Sequence, residues 1–131
     1  MTDQEFLRAF FDLSLDHSAF HHRDHLRLAW LVVRREGPAA AEETVAAGIR
    51  RYAAAHGHGD RYHDTMTRFW VRLVAHAVAA GPPTADLDAL LARHPLLLDP
   101  RTPLRHWNRD TLFSPDARAA WRPPDVLALP F

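Results

Sequence analysis

The chain of 131 residues contains no cysteine. Disulfide bonds and thiolate metal sites are therefore excluded, so a transition metal could be held only by nitrogen and oxygen ligands. Ligands of this kind favour zinc, iron, copper or nickel. The chain also lacks an excess of charge, because 16 basic side chains balance 16 acidic ones. This balance gives no indication of binding to nucleic acid or to a membrane surface.

Two kinds of apolar segment are also missing. The first residues, Met1 to Glu5, are acidic and do not lead into the apolar core of a signal peptide. No apolar run approaches the ~20 residues that a membrane-spanning helix requires. We therefore expect a soluble, cytoplasmic protein, and the length of the chain is typical of one domain.

Apolar residues recur at helical spacing over most of the chain. This pattern predicts an all-α, single-domain helical bundle of about five helices. Thr2 and Glu5 have the spacing of a capping box at the start of the first helix, and Thr84 is the predicted N-cap of the fifth. The first four helices are expected at about Thr2–Leu15, His22–Arg35, Ala39–Ala55 and Tyr62–Ala80.

Proline changes the character of the chain after residue 94. Seven of the ten prolines lie between Pro95 and Pro130. They leave room only for a short helix near Ser114–Trp121, with Pro115 in its first turn. We expect residues 1–94 to form the bundle and residues 95–131 to wrap over it, with a disordered end after Pro123 as the alternative. The apolar anchors of this segment would be Trp107, Leu112, Phe113, Trp121 and Phe131.

Three histidines begin the inward stripes of two predicted helices. His22 and His25 lie four residues before Leu26 and Ala29, so they share the inward face of the second helix. At i and i+3, their rings can point to one place. Short links between helices predict that neighbours are antiparallel, so the second and fourth helices should begin at the same end of the bundle. His63 would begin the stripe of the fourth helix, which continues with Met66, Trp70, Leu73 and Ala77.

The positions of these three histidines predict a metal site. A His-x-x-His pair and a histidine from another helix can hold one divalent transition metal, here through His22, His25 and His63. Helix N-termini keep imidazoles neutral, which is the ligand form, but they also repel a cation and attract an anion. Two alternatives remain open at this point. The same residues could form a metal-free pocket for a small anion, or they could only pack in an accessory protein.

If the protein is an enzyme, the metal would polarise water or a substrate. Tyr62 and Asp64 are then the candidates for proton transfer. Arg23, Arg61 and Thr67 are the candidates for substrate binding, and the substrate would be a small polar or anionic molecule. The alternative is that both arginines are solvated and that the hydroxyl of Thr67 bonds to its own helix. The sequence does not distinguish hydrolytic from oxidative chemistry.

Three motifs resemble those of a family of small bacterial helical proteins, and the resemblance spans most of the chain. It implies no established activity, but it singles out His22, His25 and His63. The motifs are Phe20-x-His22-Arg23-x-His25-Leu26-Arg27-x-Ala29, Tyr62-His63-x-Thr65-x-Thr67-x-Phe69-Trp70, and Leu112-Phe113-Ser114-Pro115-x-Ala117-Arg118-x-x-Trp121-x-x-Pro124-Asp125.

Overall fold

The computed structural model describes all 131 residues. It is an all-α single domain without strands, as the sequence predicts. The predicted number of about five helices is too low, because the proline-rich segment contains two short helices. The seven helices are α1 (Asp3–Phe11), α2 (His22–Glu36), α3 (Pro38–Ala55), α4 (Asp64–Ala79), α5 (Leu87–Arg93), α6 (Arg109–Leu112) and α7 (Pro115–Ala119).

The helix ends follow the local hydrogen bonding. The capping box of Thr2 and Glu5 is present, as predicted. The predicted end of α1 near Leu15 is wrong, because Leu13 has a left-handed φ of 70° that interrupts a right-handed helix. Thr84 is not the N-cap of α5; the side chain of Asp86 accepts the N–H of Ala89 at 2.9 Å instead.

The three long helices alternate in direction. Residues at the starts of α2 and α4, together with Tyr52 from the C-terminal half of α3, line one cavity. A second cavity at the opposite end is lined by Arg34 of α2, Pro38 of α3 and Ala79 of α4. Helices α2 and α4 are therefore parallel, and α3 runs antiparallel to both. This is the arrangement that the short links predict.

Most of the apolar core lies among α1 to α5, and α2 contributes the predicted stripe of Leu26, Ala29, Trp30 and Val33. Burial of each such large aliphatic or aromatic side chain contributes roughly 1.5–3 kcal/mol to stability. None of the helices combines the length and the apolar character that crossing a bilayer requires.

The proline-rich segment packs against the outer side of α4. A second, smaller core consists of Phe69 from α4 with Trp107 and Leu112 from the segment. Residues beyond Pro123 also make fixed contacts, since the carboxylate of Asp125 accepts the N–H of Asn108 at 2.8 Å.

Thr65, in the first turn of α4, holds this segment in place. Its buried hydroxyl donates to the carbonyl of Ala117 at 2.7 Å and accepts the N–H of Arg122 at 3.1 Å. One hydroxyl therefore satisfies two main-chain groups of the segment. The loss of such a buried partner costs about 1–3 kcal/mol.

We therefore predict that Thr65→Val, which preserves shape but removes the hydroxyl, lowers the free energy of unfolding by about 2 kcal/mol. Thr67→Val is the matched control, because Thr67 lies two residues further along α4 and lines the cavity. Urea denaturation followed by circular dichroism measures both. Equal stability of the two variants would mean that the Thr65 bonds contribute nothing to holding the segment.

Candidate functional site

A cavity of about 410 Å³ lies among α2, α3 and α4, at the end of the bundle where α2 and α4 begin. Its volume is within the range of small-molecule sites, about 300–1,000 Å³. Of the eight residues predicted for a site, six line this cavity: His22, His25, Arg61, Tyr62, His63 and Thr67. The sequence therefore predicted a set of residues that the fold brings together.

Capping interactions place the histidines at this end. The carboxylate of Asp24 accepts the main-chain N–H of His21 at 2.9 Å, and α2 begins at the next residue, His22. Nδ1 of His63 accepts the N–H of Met66 at 3.1 Å, so His63 is the N-cap of α4 rather than part of it. Such a cap contributes about 1 kcal/mol to stability.

His63 uses both ring nitrogens within the protein. Nε2 lies 2.6 Å from the carbonyl oxygen of Leu112, and it must carry the hydrogen because a carbonyl only accepts. Nδ1 must be bare in order to accept the N–H of Met66. Burial lowers the pKa of His63, which stabilises this neutral tautomer. The ring is therefore a structural link between α4 and the C-terminal segment.

His22 is bonded at one nitrogen only. Its Nε2 donates to the carbonyl oxygen of Leu97 at 2.8 Å, which joins the start of α2 to the C-terminal segment. The ring meets Trp70 edge to face, with centroids 4.6 Å apart. In the neutral ring, Nδ1 keeps a free lone pair.

His25 differs from the other two because no protein group hydrogen-bonds its ring. The ring stacks on Phe20, with centroids 4.0 Å apart and planes inclined by 22°. Burial lowers the pKa of His25 to about 4, and the proximity of His22 contributes to the same effect. His25 is therefore a neutral imidazole at pH 7 in the wall of the cavity.

The three histidines do not fit a metal ion in this arrangement. The structure contains no group of three or more histidine, aspartate or glutamate side chains placed to hold one. His63 has no free lone pair, and it could bind a metal only after releasing both Met66 and Leu112. Release would also remove the N-cap of α4. The predicted metal site thus stays a prediction.

Tyr62 and Asp64, predicted for proton transfer, bind each other. The hydroxyl of Tyr62 donates to Oδ1 of Asp64 at 2.7 Å, and Arg68 donates to Oδ2 at 2.9 Å. Burial raises the pKa of Tyr62, and the hydrogen bond to Asp64 adds to the effect. Arg68 also pairs with Glu42 and Glu43, so this network joins α4 to α3. Asp64 does not line the cavity.

The three residues predicted for substrate binding are in different places. Arg23 pairs with Asp88 of α5 on the surface and does not line the cavity. Arg61 lies exposed at the cavity's margin, between α3 and α4. Thr67 contributes to the wall from the second turn of α4. Only Arg61 and Thr67 are thus in a position to contact a molecule in the cavity.

The wall also contains residues outside the eight that the sequence predicts for the site. Phe20 comes from the link before α2, and Tyr52 comes from α3, where its hydroxyl donates to the carbonyl of Leu15 at 2.7 Å. His17 and His58 line the cavity from two separate loops, with ring centroids 4.7 Å apart. No pattern within either loop signals this proximity, because it depends on how α1 packs against α3.

Comparison with family models, with curated proteins and with solved structures found no match to this chain.

The low pKa of His25 predicts a dependence of stability on pH. The unfolded imidazole has a pKa of about 6.5, so the unfolded chain binds the proton more readily than the folded chain does. The contribution of neutral His25 is complete above about pH 6.5 and is lost as the pH falls toward about 4. Because the ring is partly open to the cavity, we expect a loss of about 2 kcal/mol.

Denaturation at pH 7 and pH 4.5 tests this effect. His25→Phe keeps the stacking on Phe20 and removes the titrating group, so its stability should fall less on acidification than that of the wild type. His76→Phe, which changes an exposed histidine on α4, should behave like the wild type. Parallel losses in all three proteins would contradict the assignment to His25.

Proposed function

We propose that the protein binds a small organic molecule with an apolar body and a polar end in the cavity among α2, α3 and α4. One observation carries this proposal: a cavity of about 410 Å³, mostly apolar, gathers five histidines, Arg61 and Thr67 in its wall. Known ligand sites have this composition, in which apolar walls supply affinity and a few polar groups fix orientation.

The lining changes in character along the cavity. Ala29, Val45 and Val71 form its buried apolar part. His22 and His25 lie nearer the helix starts, beyond this apolar part. A bound molecule would therefore place its apolar body among the aliphatic side chains and its polar end beside the two imidazoles.

The charge of the wall supports a molecule that is not cationic. No aspartate or glutamate lines the cavity, whereas five histidines and Arg61 do. The partial positive charge of two helix N-termini acts in the same direction. The ligand is accordingly a small polar or anionic molecule, as the sequence predicts. The apolar wall indicates that this molecule also has an apolar body. We also propose that the protein is cytoplasmic and that it binds neither nucleic acid nor a membrane.

Filling the cavity tests the proposal directly. Ala53 lies in the wall on α3, and Ala53→Phe should place a ring in the cavity and weaken binding of a naphthalene-sized probe such as 2-naphthol at least tenfold. Ala47→Phe on the exposed side of α3 is the matched control and should bind like the wild type.

A ¹H–¹⁵N NMR titration reports both the affinity and the place of binding. Shift changes should cluster at the starts of α2 and α4. Unchanged affinity in Ala53→Phe, or shift changes confined to another surface, would show that the cavity is not the binding site.

A metal-dependent enzyme is the second candidate, because all three predicted metal ligands line the same cavity. It requires that His63 exchange its two hydrogen bonds for a metal ion. The protein purified without a histidine tag should then retain close to one equivalent of zinc, iron, copper or nickel. The His22→Ala/His63→Ala double variant should lose it, as measured by elemental analysis. Full retention in the double variant would eliminate this candidate site.

A further inference from the structure

His25 leaves a hydrogen-bonding position unfilled inside the cavity. Its ring is held from one side by Phe20, and no protein group bonds to either ring nitrogen. A neutral imidazole has one bare nitrogen and one N–H in either tautomer, so His25 offers an acceptor beside a donor. A ligand that donates to this nitrogen would make a hydrogen bond that the protein alone does not supply.

His22 adds a second acceptor on the same helix face. Because its Nε2 donates to the carbonyl of Leu97, the neutral ring has its lone pair at Nδ1. A carboxylate, which only accepts, could use the N–H of His25 but would meet lone pairs at the two bare nitrogens. A hydroxyl or an N–H group would instead find acceptors.

The wall near these acceptors is aromatic. The Phe20–His25 stack lies on one side, and Trp70 meets His22 edge to face, with ring planes inclined by 65°. Tyr52 packs against Phe20, with ring centroids 5.0 Å apart. Aromatic pairs in offset or edge-to-face geometry are stabilised beyond the burial of their area. The surroundings therefore suit a flat ring that carries the polar group.

Resting on the proposed binding function, we infer that the ligand is an uncharged aromatic hydrogen-bond donor of the phenol or indole class, whose O–H or N–H donates to the bare nitrogen of His25. The aromatic body extends from the Phe20–His25 stack and Trp70 toward the aliphatic part of the cavity. This assignment narrows the class of ligand from polar or anionic molecules to neutral hydrogen-bond donors. It also gives His25 the specificity-determining role.

Three naphthalene probes separate the possibilities. 2-Naphthol carries a donor, 2-methylnaphthalene has nearly the same size without one, and 2-naphthoate carries a negative charge at pH 7. The wild type should bind 2-naphthol about tenfold more tightly than 2-methylnaphthalene, which is the value of one good hydrogen bond. 2-Naphthoate should bind more weakly than 2-naphthol.

Two variants test the role of His25. His25→Phe keeps the stack and removes the acceptor, so 2-naphthol should lose its advantage while 2-methylnaphthalene binds as before. Retained binding of 2-methylnaphthalene shows at the same time that the variant is folded and the cavity intact. His25→Gln, which supplies a carbonyl acceptor, should restore part of the preference. His76→Phe is the control for a change of histidine outside the cavity.

Each outcome has a distinct meaning. If none of the three probes binds, the proposed function fails and the ligand assignment fails with it. If all three bind equally, the cavity function stands but the neutral-donor assignment is overturned. Tightest binding of 2-naphthoate would overturn it in favour of an anion. A preference for 2-naphthol that persists in His25→Phe would overturn the role of His25.

Discussion

The two hydrogen bonds of His63 are the constraint on which the site depends. Nδ1 caps α4 through Met66, and Nε2–H binds Leu112 of the C-terminal segment. One neutral ring thus fixes where α4 begins, where the segment packs and where one wall of the cavity lies. Because each nitrogen has an opposite role, only one tautomer satisfies both partners. Burial, which lowers the pKa of His63, favours that neutral form.

The same constraint separates three histidines that look equivalent in sequence. His63 is used at both nitrogens and His22 at one, whereas His25 is used at neither. Availability to a ligand therefore increases from His63 to His25. A ring with both nitrogens engaged supports the fold, and a ring with none engaged is free to recognise a molecule. This gradient is why the geometry favours a binding cavity over a three-histidine metal site.

Much of the fold could be predicted because it depends on short-range patterns. The periodicity of apolar residues indicated the long helices. The predicted end of α1 was wrong because the backbone conformation of one residue decided it. Leu13 is left-handed, so α1 ends before it. The candidate site was predictable in part, since parallel α2 and α4 place His22 and His63 at one end. The walls from separate loops were not, because they meet only through the packing of α1 on α3.

The sequence by itself determined the helical class, the alternating direction of the long helices and the end at which the histidines gather. These properties follow from the helical period and from short links, which act locally. Only the tertiary structure decided which ring nitrogens are free, because the partners are carbonyls far along the chain, at Leu97 and Leu112. It also decided that Arg23 pairs with Asp88 rather than with a ligand. A hydrogen bond to a distant main-chain group does not depend on the type or spacing of the residues that make it, and so it cannot be predicted from the sequence.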